Sequence, residues 1–328
     1  MAKAPPVEVE VGGRRLSLTN LDKQLYPTGF TKADVIRYHT AIAPAILPHL
    51  RRRALTMKRY PDGSEGPFFY EKRCPKHAPD WVARTDLWVT SDGTRWGTAA
   101  KSGVAPKRSA PELVPFVVVE EVATLVWLAN LAALELHTPM GRAVGWTDDS
   151  MPAPPSMVVF DLDPGAPATA VECAVVALHL REVLDHLGLV SVVKSSGSKG
   201  LQVYVPLNTP TDFAATRGFA QAMAQLLEKQ HPDLVVSQQR KDIRPGKVLV
   251  DWFQNEPSKT TISVYSLRAR PKPWVSAPLT WDEVEVLGGS TDPDAVLFEA
   301  DEVLARVEEH GDLFAPVLTV EQTLPTLG

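Results

Sequence analysis

The chain has 328 residues, of which 44% are hydrophobic and 22% are charged, and this composition excludes a fibrous or largely disordered protein. No apolar run approaches the roughly 20 residues of a membrane span, the first 15 residues lack the apolar segment of a secretory signal, and two cysteines are too few for a disulfide framework or a four-ligand zinc site. The net charge of −5 does not favour a nucleic-acid partner, and we expect a protein of a reducing compartment with no membrane attachment.

The charge is distributed unevenly along the chain. Between Arg14 and Lys76 there are 13 Lys/Arg and 5 Asp/Glu, whereas from Ala277 to the end there are 12 Asp/Glu and one Arg. This asymmetry indicates a polyanion-facing surface at one end and a solvated acidic face at the other. The alternative is that the basic residues only cover solvent-exposed helices.

The first half of the chain predicts a mixture of strands and helices. Thr31-Lys32-Ala33-Asp34 has the spacing of a capping box and opens an amphipathic helix over roughly 32–48. The segment EEVATLVWLANLAALELH has helical periodicity and predicts a buried helix over about 119–137. Strands are expected in LSLTNLDKQLYP and LTMKRYPDG, and a hairpin with a connector in residues 84–115. The Pro-rich stretch from Met151 to Pro155 is the best candidate for an internal boundary.

The second half predicts helices that alternate with hairpins. Strands are expected in SMVVFDLDP, on both sides of the loop in LVSVVKSSGSKGLQVYVPL, in KVLVDWFQN and in TTISVYSLRARP. Helices are expected in TAVECAVVALHLREVLDHLG, in DFAATRGFAQAMAQLLEKQ and near 294–310. This order favours a mixed or antiparallel sheet covered by helices over a doubly wound sheet.

Two carboxylates lie close together at the end of the strand in SMVVFDLDP. Alternation along a strand places Asp161 and Asp163 on one face, about 7 Å apart, and Phe160 and Leu162 on the core face. The two carboxylates repel each other, and Mg²⁺ or Mn²⁺ would stabilise both because these cations prefer oxygen ligands. An Asp-Pro sequence is also typical of a solvated turn, so the pair alone leaves both interpretations open.

A Ser- and Gly-rich loop separates the next two predicted strands. The segment SSGSKG, residues 195–200, combines glycines that allow close backbone approach with hydroxyl groups and one positive charge, which indicates a phosphate-binding loop. It is not a Walker A loop, because that spacing is missing and a strand follows where a helix is needed. The alternative is a flexible connection between strands.

Two further charged residues lie in later predicted strands. Asp251 ends the apolar run of KVLVDWFQN, where an edge residue with satisfied hydrogen bonds is the simpler explanation. Arg268 lies in YSLRARP, where two arginines on one predicted strand share a face, and arginine is suited to bidentate phosphate contacts.

The order of these motifs resembles a known family. DLDP, SGSKGL-x-x-YVPL, KVLVDWFQN and KTT-x-x-x-YSLRARP follow one another as in the polymerase domain of bacterial DNA ligase D, a branch of the archaeo-eukaryotic primase superfamily. LTNLDKQLYP, KRYPDG, FFYEK and ALELHTP extend the resemblance over roughly residues 12–312. The resemblance implies an α+β primase fold, with mixed or antiparallel β-sheets flanked by helices, in one catalytic unit over 1–328. Within it, 1–150 would be the DNA-binding portion and 151–328 the catalytic portion.

The resemblance also implies roles for individual residues. Asp161, Asp163 and Asp251 would be the catalytic triad of a two-metal site for Mn²⁺ or Mg²⁺, which serves attack of the primer 3′-hydroxyl on the triphosphate and departure of pyrophosphate. The residues that match positions around the incoming NTP or dNTP are Lys58, Tyr70, His137, Ser196, Ser198, Lys199, Gln202 and Arg268. Tyr70 is expected to stack on the base. Without the flanking match, His137 would be interpreted as a helix cap or a surface residue.

One residue departs from the family pattern. Gln202, in GLQVYVPL, stands where family members commonly have histidine. Glutamine still donates a hydrogen bond to a phosphate or sugar, but it cannot carry a proton or a charge. We therefore expect an intact metal triad, and a triphosphate affinity or pH dependence that differs from that of the family.

Three upstream residues match the positions that hold a 5′-phosphate at a DNA break or gap: Asn20, Lys23 and Lys32. The basic excess of the first quarter independently favours a phosphate-rich partner. Ligase D usually joins this domain to ligase and nuclease modules, for which the chain has no remaining length. We therefore expect a stand-alone homologue or an excised domain.

The function that follows is a metal-dependent, DNA-directed nucleotidyltransferase in the bacterial cytoplasm, associated with the nucleoid. It would extend primers or fill short gaps, in end joining or excision repair, on DNA with gaps, recessed ends or 5′-phosphates. A ligase or an end-binding factor would be its repair partner, and the resemblance implies a preference for Mn²⁺ and tolerance of ribonucleotides. Two alternatives are a primase that starts chains without a primer and a catalytically silent DNA-end-binding module that recruits repair proteins. The complete set of three aspartates argues against the silent module.

Overall fold

The computed structural model describes residues 5–89, 112–142 and 153–326, and within them strands and helices alternate along the whole chain. The helices are α1 (Lys32–Leu50), α2 (Val122–Asn130), α3 (Ala170–His186), α4 (Phe213–Gln230), α5 (Trp281–Gly288), α6 (Ala300–His310) and α7 (Pro316–Thr319). The strands are β1 (Val7–Val11), β2 (Arg14–Leu18), β3 (Ala54–Arg59), β4 (Phe69–Glu71), β5 (Arg84–Val89), β6 (Glu112–Val118), β7 (Ala133–Thr138), β8 (Met157–Pro164), β9 (Val192–Ser195), β10 (Leu201–Pro206), β11 (Val235–Val236), β12 (Val248–Asp251), β13 (Thr261–Ile262) and β14 (Pro278–Leu279).

Two six-stranded sheets form the framework, beside a small β1–β2 hairpin. The first sheet has the order β11-β12-β8-β10-β9-β14, and only its β11–β12 pair is parallel. The second has the order β13-β7-β3-β6-β5, with β4 also paired to β3, and every pair is antiparallel. The predicted α+β architecture with mixed or antiparallel sheets is therefore confirmed.

Capping residues and apolar faces explain why the main helices form. Thr31 and Asp34 make the predicted capping box of α1, and Thr169 with Glu172 makes another at the start of α3. One face of the first sheet packs on α3, α4 and α5 in a continuous apolar core. Phe160 and Leu162 are fully buried there, as strand alternation predicted. Asp161, which lies between them on β8, and Asp163, which follows Leu162, therefore face the opposite side of the sheet.

Several predicted boundaries differ in the structure. The segment predicted as one helix over 119–137 is α2 followed by β7, because Ala132 takes a left-handed backbone conformation with φ of +55° and ends the helix. The strand predicted in TTISVYSLRARP is limited to β13, since Tyr265 has φ of +63° and turns the chain out of the sheet. The acidic helix expected near 294–310 begins only at Ala300, and α1 runs on to Leu50 through two internal prolines.

The structure contains β5 at the start of the hairpin predicted in LWVTSDGTRWGTA, and β5 pairs antiparallel with β6, which begins inside the segment predicted as a connector. The predicted second strand of that hairpin lies outside the described residues, as do Met151 and Pro152 of the Pro-rich candidate boundary. In the part of the chain that the structure describes, no helix combines the length and the apolar character needed to cross a membrane.

Candidate active site

Three carboxylates meet where two neighbouring strands of the first sheet end. Asp161 and Asp163 extend from the same face of β8, and Asp251 is the last residue of β12. The antiparallel register pairs Asp251 directly with Asp161, which explains why an acidic residue ends this otherwise apolar strand. One carboxylate oxygen of each residue lies within 4.8 Å of the other two. The structure thus brings together the three aspartates that the resemblance selected.

The electrostatics of this cluster fit a divalent cation. Burial, and then the carboxylate of Asp163, raises the pKa of Asp161 from 3.8 to about 7. Burial and the carboxylate of Asp251 raise the pKa of Asp163 as well. Such shifts mean that burial and the neighbouring carboxylates disfavour the charged forms more than the nearby cations and hydrogen bonds favour them. Three clustered carboxylate oxygens are the donors that Mg²⁺ and Mn²⁺ prefer, so the residues present fit a metal of this kind.

Side-chain amides fix the orientation of the carboxylates. Gln202 donates from Nε2 to Asp161 Oδ1 at 3.0 Å. Gln239 Nε2 donates to Asp251 Oδ1 at 2.7 Å, and Gln254 Nε2 donates to Asp251 Oδ2 at 2.9 Å. Of these amides the sequence pointed only to Gln202, because Gln239 lies in a loop and Gln254 lies in a short 3₁₀ turn that follows Asp251.

A buried lysine lies behind Gln202. Lys194 is 1% exposed, and its Nζ donates to Gln202 Oε1 at 2.5 Å and to Ser276 Oγ at 2.6 Å. Burial lowers the pKa of Lys194 from 10.5 to about 7. This contact could not be predicted from the sequence, since Lys194 follows the predicted strand VSVV and precedes the loop.

The β9–β10 loop faces the aspartates across a cavity of about 270 Å³. Among the described residues, the cavity is lined by His137, Asp161, Asp163, Ser196, Ser198, Lys199, Gly200, Gln202, Thr260, Thr261, Ile262, Arg268 and Arg270. Gly200 permits this approach, because a Cβ there would lie 2.1 Å from the carbonyl oxygen of Leu162 on β8. The lining of the cavity therefore combines acidic groups with hydroxyl groups and cations.

Contrary to the prediction, Arg268 and Arg270 in YSLRARP do not lie on a strand. They follow Leu267, which makes an isolated bridge to Val275, and both line the cavity from this loop. Arg270 donates to Ser198 Oγ, and the buried Nε of Arg268 has no hydrogen-bond partner among the described residues. An unpaired buried N–H on a residue that lines a polar cavity is suited to an anionic ligand.

A second group of predicted residues adjoins the cavity on the other sheet. Lys58 on β3 pairs across the strands with Tyr70 on β4, and the ring of Tyr70 lies 6.1 Å from that of His137 on β7. Tyr70 is 58% exposed, so one face of its ring is open to solvent. His137 is the residue that connects this group to the cavity. At the centre of the group lies Glu135, which sequence reasoning missed because its segment was predicted to be helical.

The remaining predicted residues lie apart from this cavity, on the turn between β2 and α1. Asn20 has φ of +53° and accepts a backbone hydrogen bond from Lys23, so the two are joined by a turn rather than by a helix. Lys23 is half-exposed and lies 3.2 Å from the exposed Asp62. Lys32 is 5% exposed, and two of its N–H groups donate to the carbonyl oxygens of Thr19 and Asn130 at 2.9 Å.

Comparison with known proteins agrees with this architecture. A family model described as the LigD primase-polymerase domain matches residues 31–314. The chain is 39% identical over 303 residues to the multifunctional non-homologous end joining DNA repair protein LigD of Mycobacterium tuberculosis, a match that covers 92% of this chain and 36% of that protein. It is 32% identical over 299 residues to the bifunctional LigD of Bacillus subtilis, covering 90% of this chain and 43% of that protein. The chain therefore spans well under half the length of these relatives.

A solved structure gives the same result. The polymerase domain of M. tuberculosis ligase D, determined in complex with DNA, superposes with a TM-score of 0.80 at 39% identity. The superposition covers 93% of this chain and 98% of that domain. Taken with the aspartate cluster and the facing loop, these matches show that the chain belongs to the family of LigD primase-polymerase domains.

Proposed function

We propose that this chain is a metal-dependent, DNA-directed nucleotidyltransferase that adds ribo- or deoxyribonucleotides to primer ends and short gaps during DNA repair. The observation that carries the proposal is the convergence of Asp161, Asp163 and Asp251 within 4.8 Å, beside a cavity that two of these aspartates line together with cationic side chains. Such a site pairs carboxylates that can hold a divalent cation with groups that can hold a triphosphate.

Each side of the cavity has a distinct task in this proposal. The three aspartates would hold the cation, which when bound supplies charge stabilisation for the phosphoryl transfer. Ser196, Ser198, Lys199 and Arg268 would bind the triphosphate. Lys58, Tyr70 and His137 would receive the sugar and base, with the exposed ring of Tyr70 as a stacking surface. Gln202 would orient Asp161.

The DNA partner is proposed from the same family. The structural relative is a polymerase domain in complex with DNA, and its parent proteins are named for non-homologous end joining. We propose that the portion over 1–150 contributes the DNA-binding surface, and that Asn20, Lys23 and Lys32 hold a 5′-phosphate. The turn that carries them places their backbones close together, since Lys32 N donates to the carbonyl oxygen of Lys23 at 2.9 Å.

Nucleotide incorporation on a recessed-end duplex tests the proposal. The purified chain should extend the primer with Mn²⁺ and nucleoside triphosphates. Asp163→Ala should abolish extension while retaining the fold, because Asp163 lies on the face of β8 opposite the apolar core. Asp185→Ala, which removes an exposed aspartate at the end of α3, should extend normally. A wild-type chain that binds DNA but incorporates no nucleotide would instead support the silent end-binding module.

A further inference from the structure

A single buried carboxylate joins the residues proposed to receive the nucleotide. Glu135, on β7, is 2% exposed. Its Oε2 lies 3.1 Å from His137 Nε2, 3.6 Å from an Nη of Arg268 and 3.7 Å from Lys58 Nζ. Glu135 pairs with Lys58 across β3 and β7, and His137 lies two residues further along the same face of β7. The sheet therefore places these groups around one oxygen.

The other oxygen of Glu135 is also occupied. Oε1 accepts a hydrogen bond from the backbone N–H of Ala269 at 3.1 Å, and the hydroxyl of Tyr60 lies 3.4 Å away. The Ala269 contact ties the loop that carries Arg268 directly to β7. Glu135 thus connects three separate parts of the chain, namely β3, β7 and the loop after β13.

The charge of Glu135 is maintained despite its burial. Burial raises its pKa, but His137, Arg268 and Lys58 outweigh that effect and hold the pKa at about 2. Lys58 and Arg268 are themselves 14% and 16% exposed, so solvent screens their mutual repulsion poorly. The carboxylate between them offsets that repulsion and lets both cations stay in one place.

We propose that Glu135 is a positioning residue of the nucleotide site, whose carboxylate holds Lys58, His137 and Arg268 in the arrangement that receives the triphosphate. This role rests on the proposed nucleotidyltransferase function. Glu135 itself is not among the described residues that line the cavity, whereas His137 and Arg268 are. It therefore acts through these neighbours and does not touch the nucleotide.

The positioning role predicts whether removing the charge of Glu135 weakens or strengthens nucleotide binding. A negative charge near a triphosphate repels it, so if Glu135 acted only through the local potential, Glu135→Gln would bind nucleotide more tightly. If Glu135 positions the cations, Glu135→Gln releases them and binds nucleotide more weakly. We expect KM for the nucleotide to rise about tenfold while kcat changes by less than about threefold, since the aspartate cluster is unaltered.

The experiment compares Glu135→Gln, Glu135→Asp and the control Glu71→Gln. Nucleotide KM and kcat are measured on a recessed-end duplex, and binding of a fluorescent nucleoside triphosphate with Mn²⁺ is measured by anisotropy. The Glu71 side chain makes a 2.6 Å ion pair with Arg59 on the neighbouring strand, and within the described part of the chain it has no ion pair with Lys58, His137 or Arg268, so its variant should match the wild type. Glu135→Asp keeps the charge and should recover part of the loss. Tighter or unchanged binding by Glu135→Gln, or equal losses in both Glu135 variants, would overturn the proposal.

A second measurement does not depend on activity. The groups facing the His137 ring are the Glu135 carboxylate, the Lys58 and Arg268 cations and the ring of Tyr70. Glu135 raises the pKa of His137 against burial, so Glu135→Gln should lower it in an NMR titration of the ring nitrogens. An unmoved His137 titration would overturn the proposal. A wild-type chain that shows this coupling but neither binds nor incorporates nucleotide would instead remove the proposed function, and the nucleotide role of Glu135 with it.

Discussion

Asp161 is a carboxyl group whose ionisation the fold disfavours. With its pKa raised from 3.8 to about 7 by burial and by its acidic neighbours, it binds more protons in the folded than in the unfolded chain between those two values. Its contribution to the free energy of unfolding therefore falls as the pH rises through this range. A divalent cation on the carboxylates would replace the proton, so stabilisation by Mn²⁺ should grow with pH.

Thermal unfolding checks this prediction. In EDTA, the melting temperature of the wild type should fall between about pH 5 and pH 7 by more than that of Asp161→Asn, which keeps the size of the side chain but cannot titrate. Added Mn²⁺ should raise the melting temperature more at about pH 7.5 than at about pH 5.5 in the wild type, and only slightly in the variant. An Asp161→Asn chain with the pH dependence and Mn²⁺ response of the wild type would contradict the metal assignment.

Gln202 is held in one amide orientation by its neighbours. Its Oε1 accepts hydrogen bonds from Lys194 Nζ at 2.5 Å and from the Tyr204 hydroxyl at 3.2 Å, so its Nε2 is left to donate to Asp161. A neutral imidazole can also accept on one nitrogen and donate from the other. Gln202→His should therefore keep primer extension within about threefold of the wild type. Gln202→Leu should lose roughly 1–3 kcal/mol of stability, because the buried Lys194 ammonium loses an acceptor, and should lose most of its activity.

Steady-state extension and chemical denaturation separate these two variants. A folded but inactive Gln202→His chain would show that the space beside Asp161 accepts an amide and excludes an imidazole. In that case the residues around Gln202 would differ from those around the histidine that family members commonly have at this position. Lys194, which contacts Gln202, would be the first residue to examine.

At the scale of elements, strand alternation was enough to predict that two of the three clustered aspartates share one face of a strand. The apolar residues of β8 identified its core face, and Asp161 with Asp163 was correctly assigned to the other face. The position of Asp251 beside them depends on the pairing of β12 with β8, which are separated by about 90 residues and by two helices. Only the family resemblance supplied that contact, since no local pattern encodes it.

The segment after α2 is a strand, although its local sequence pattern predicts a helix. Its Ala- and Leu-rich composition favours a helix, and alanine is not a residue that marks turns. Ala132 nevertheless adopts a left-handed conformation, because the chain must reverse there to pair β7 with β3. The same error is why Glu135 was not predicted as a site residue, since its role depends on its pairing with Lys58 across β7 and β3. Tertiary strand pairing therefore overrode local propensity.

The β9–β10 loop depends on a glycine in a way that can be tested. Gly197 has φ of +64°, and a Cβ there would lie 2.6 Å from Arg268 Cγ and 2.8 Å from the backbone of Val275. Gly188, after α3, has φ of +70° with no atom within 4 Å of the Cβ position. Both alanine variants carry backbone strain of about 1–2 kcal/mol, but only Gly197→Ala also displaces Arg268.

We therefore expect Gly197→Ala to raise the nucleotide KM by about tenfold or more, and Gly188→Ala to leave it unchanged. Thermal unfolding should show a loss of stability in both variants, and a larger loss in Gly197→Ala because its Cβ also meets the backbone of Val275. If the two variants had the same KM, the close packing of the loop against Arg268 would have no part in nucleotide binding.

At the scale of the whole molecule, the uneven charge along the sequence is not a separation in space. The acidic C-terminal segment packs against the basic N-terminal segment, and Arg37 on α1 lies 3.2 Å from Asp301 on α6. His49, near the end of α1, contacts Asp312 at 2.8 Å. The expectation of a basic end opposite an acidic end is therefore too simple. A polyanion would instead meet those basic residues that the acidic segment leaves free.

The turn that carries Lys23 and Lys32 is one such place, but its two lysines differ in exposure. Lys32 donates to two carbonyl oxygens, and burial lowers its pKa, so replacing it would disturb the turn itself. The Lys23 ammonium is half-exposed, and its ion-pair partner among the described residues is the exposed Asp62. Lys23 is therefore the residue whose substitution can report phosphate binding without loss of structure.

Lys23→Ala tests whether this turn recognises a DNA 5′-phosphate. A terminal phosphate carries nearly two negative charges at neutral pH, so it should attract Lys23 more than an internal diester does. Binding to gapped DNA with a 5′-phosphate should weaken by about tenfold, and binding to the same DNA with a 5′-hydroxyl should weaken much less, as expected for the loss of one charge-assisted hydrogen bond. Added salt should reduce the difference in the wild type, and extension of a primer-template without a downstream strand should be unchanged.

Lys229→Ala, at the exposed end of α4, serves as the control and should affect neither substrate. Equal losses on both substrates for Lys23→Ala would show a general basic contact, because recognition of the end requires the extra charge of the monoester to matter.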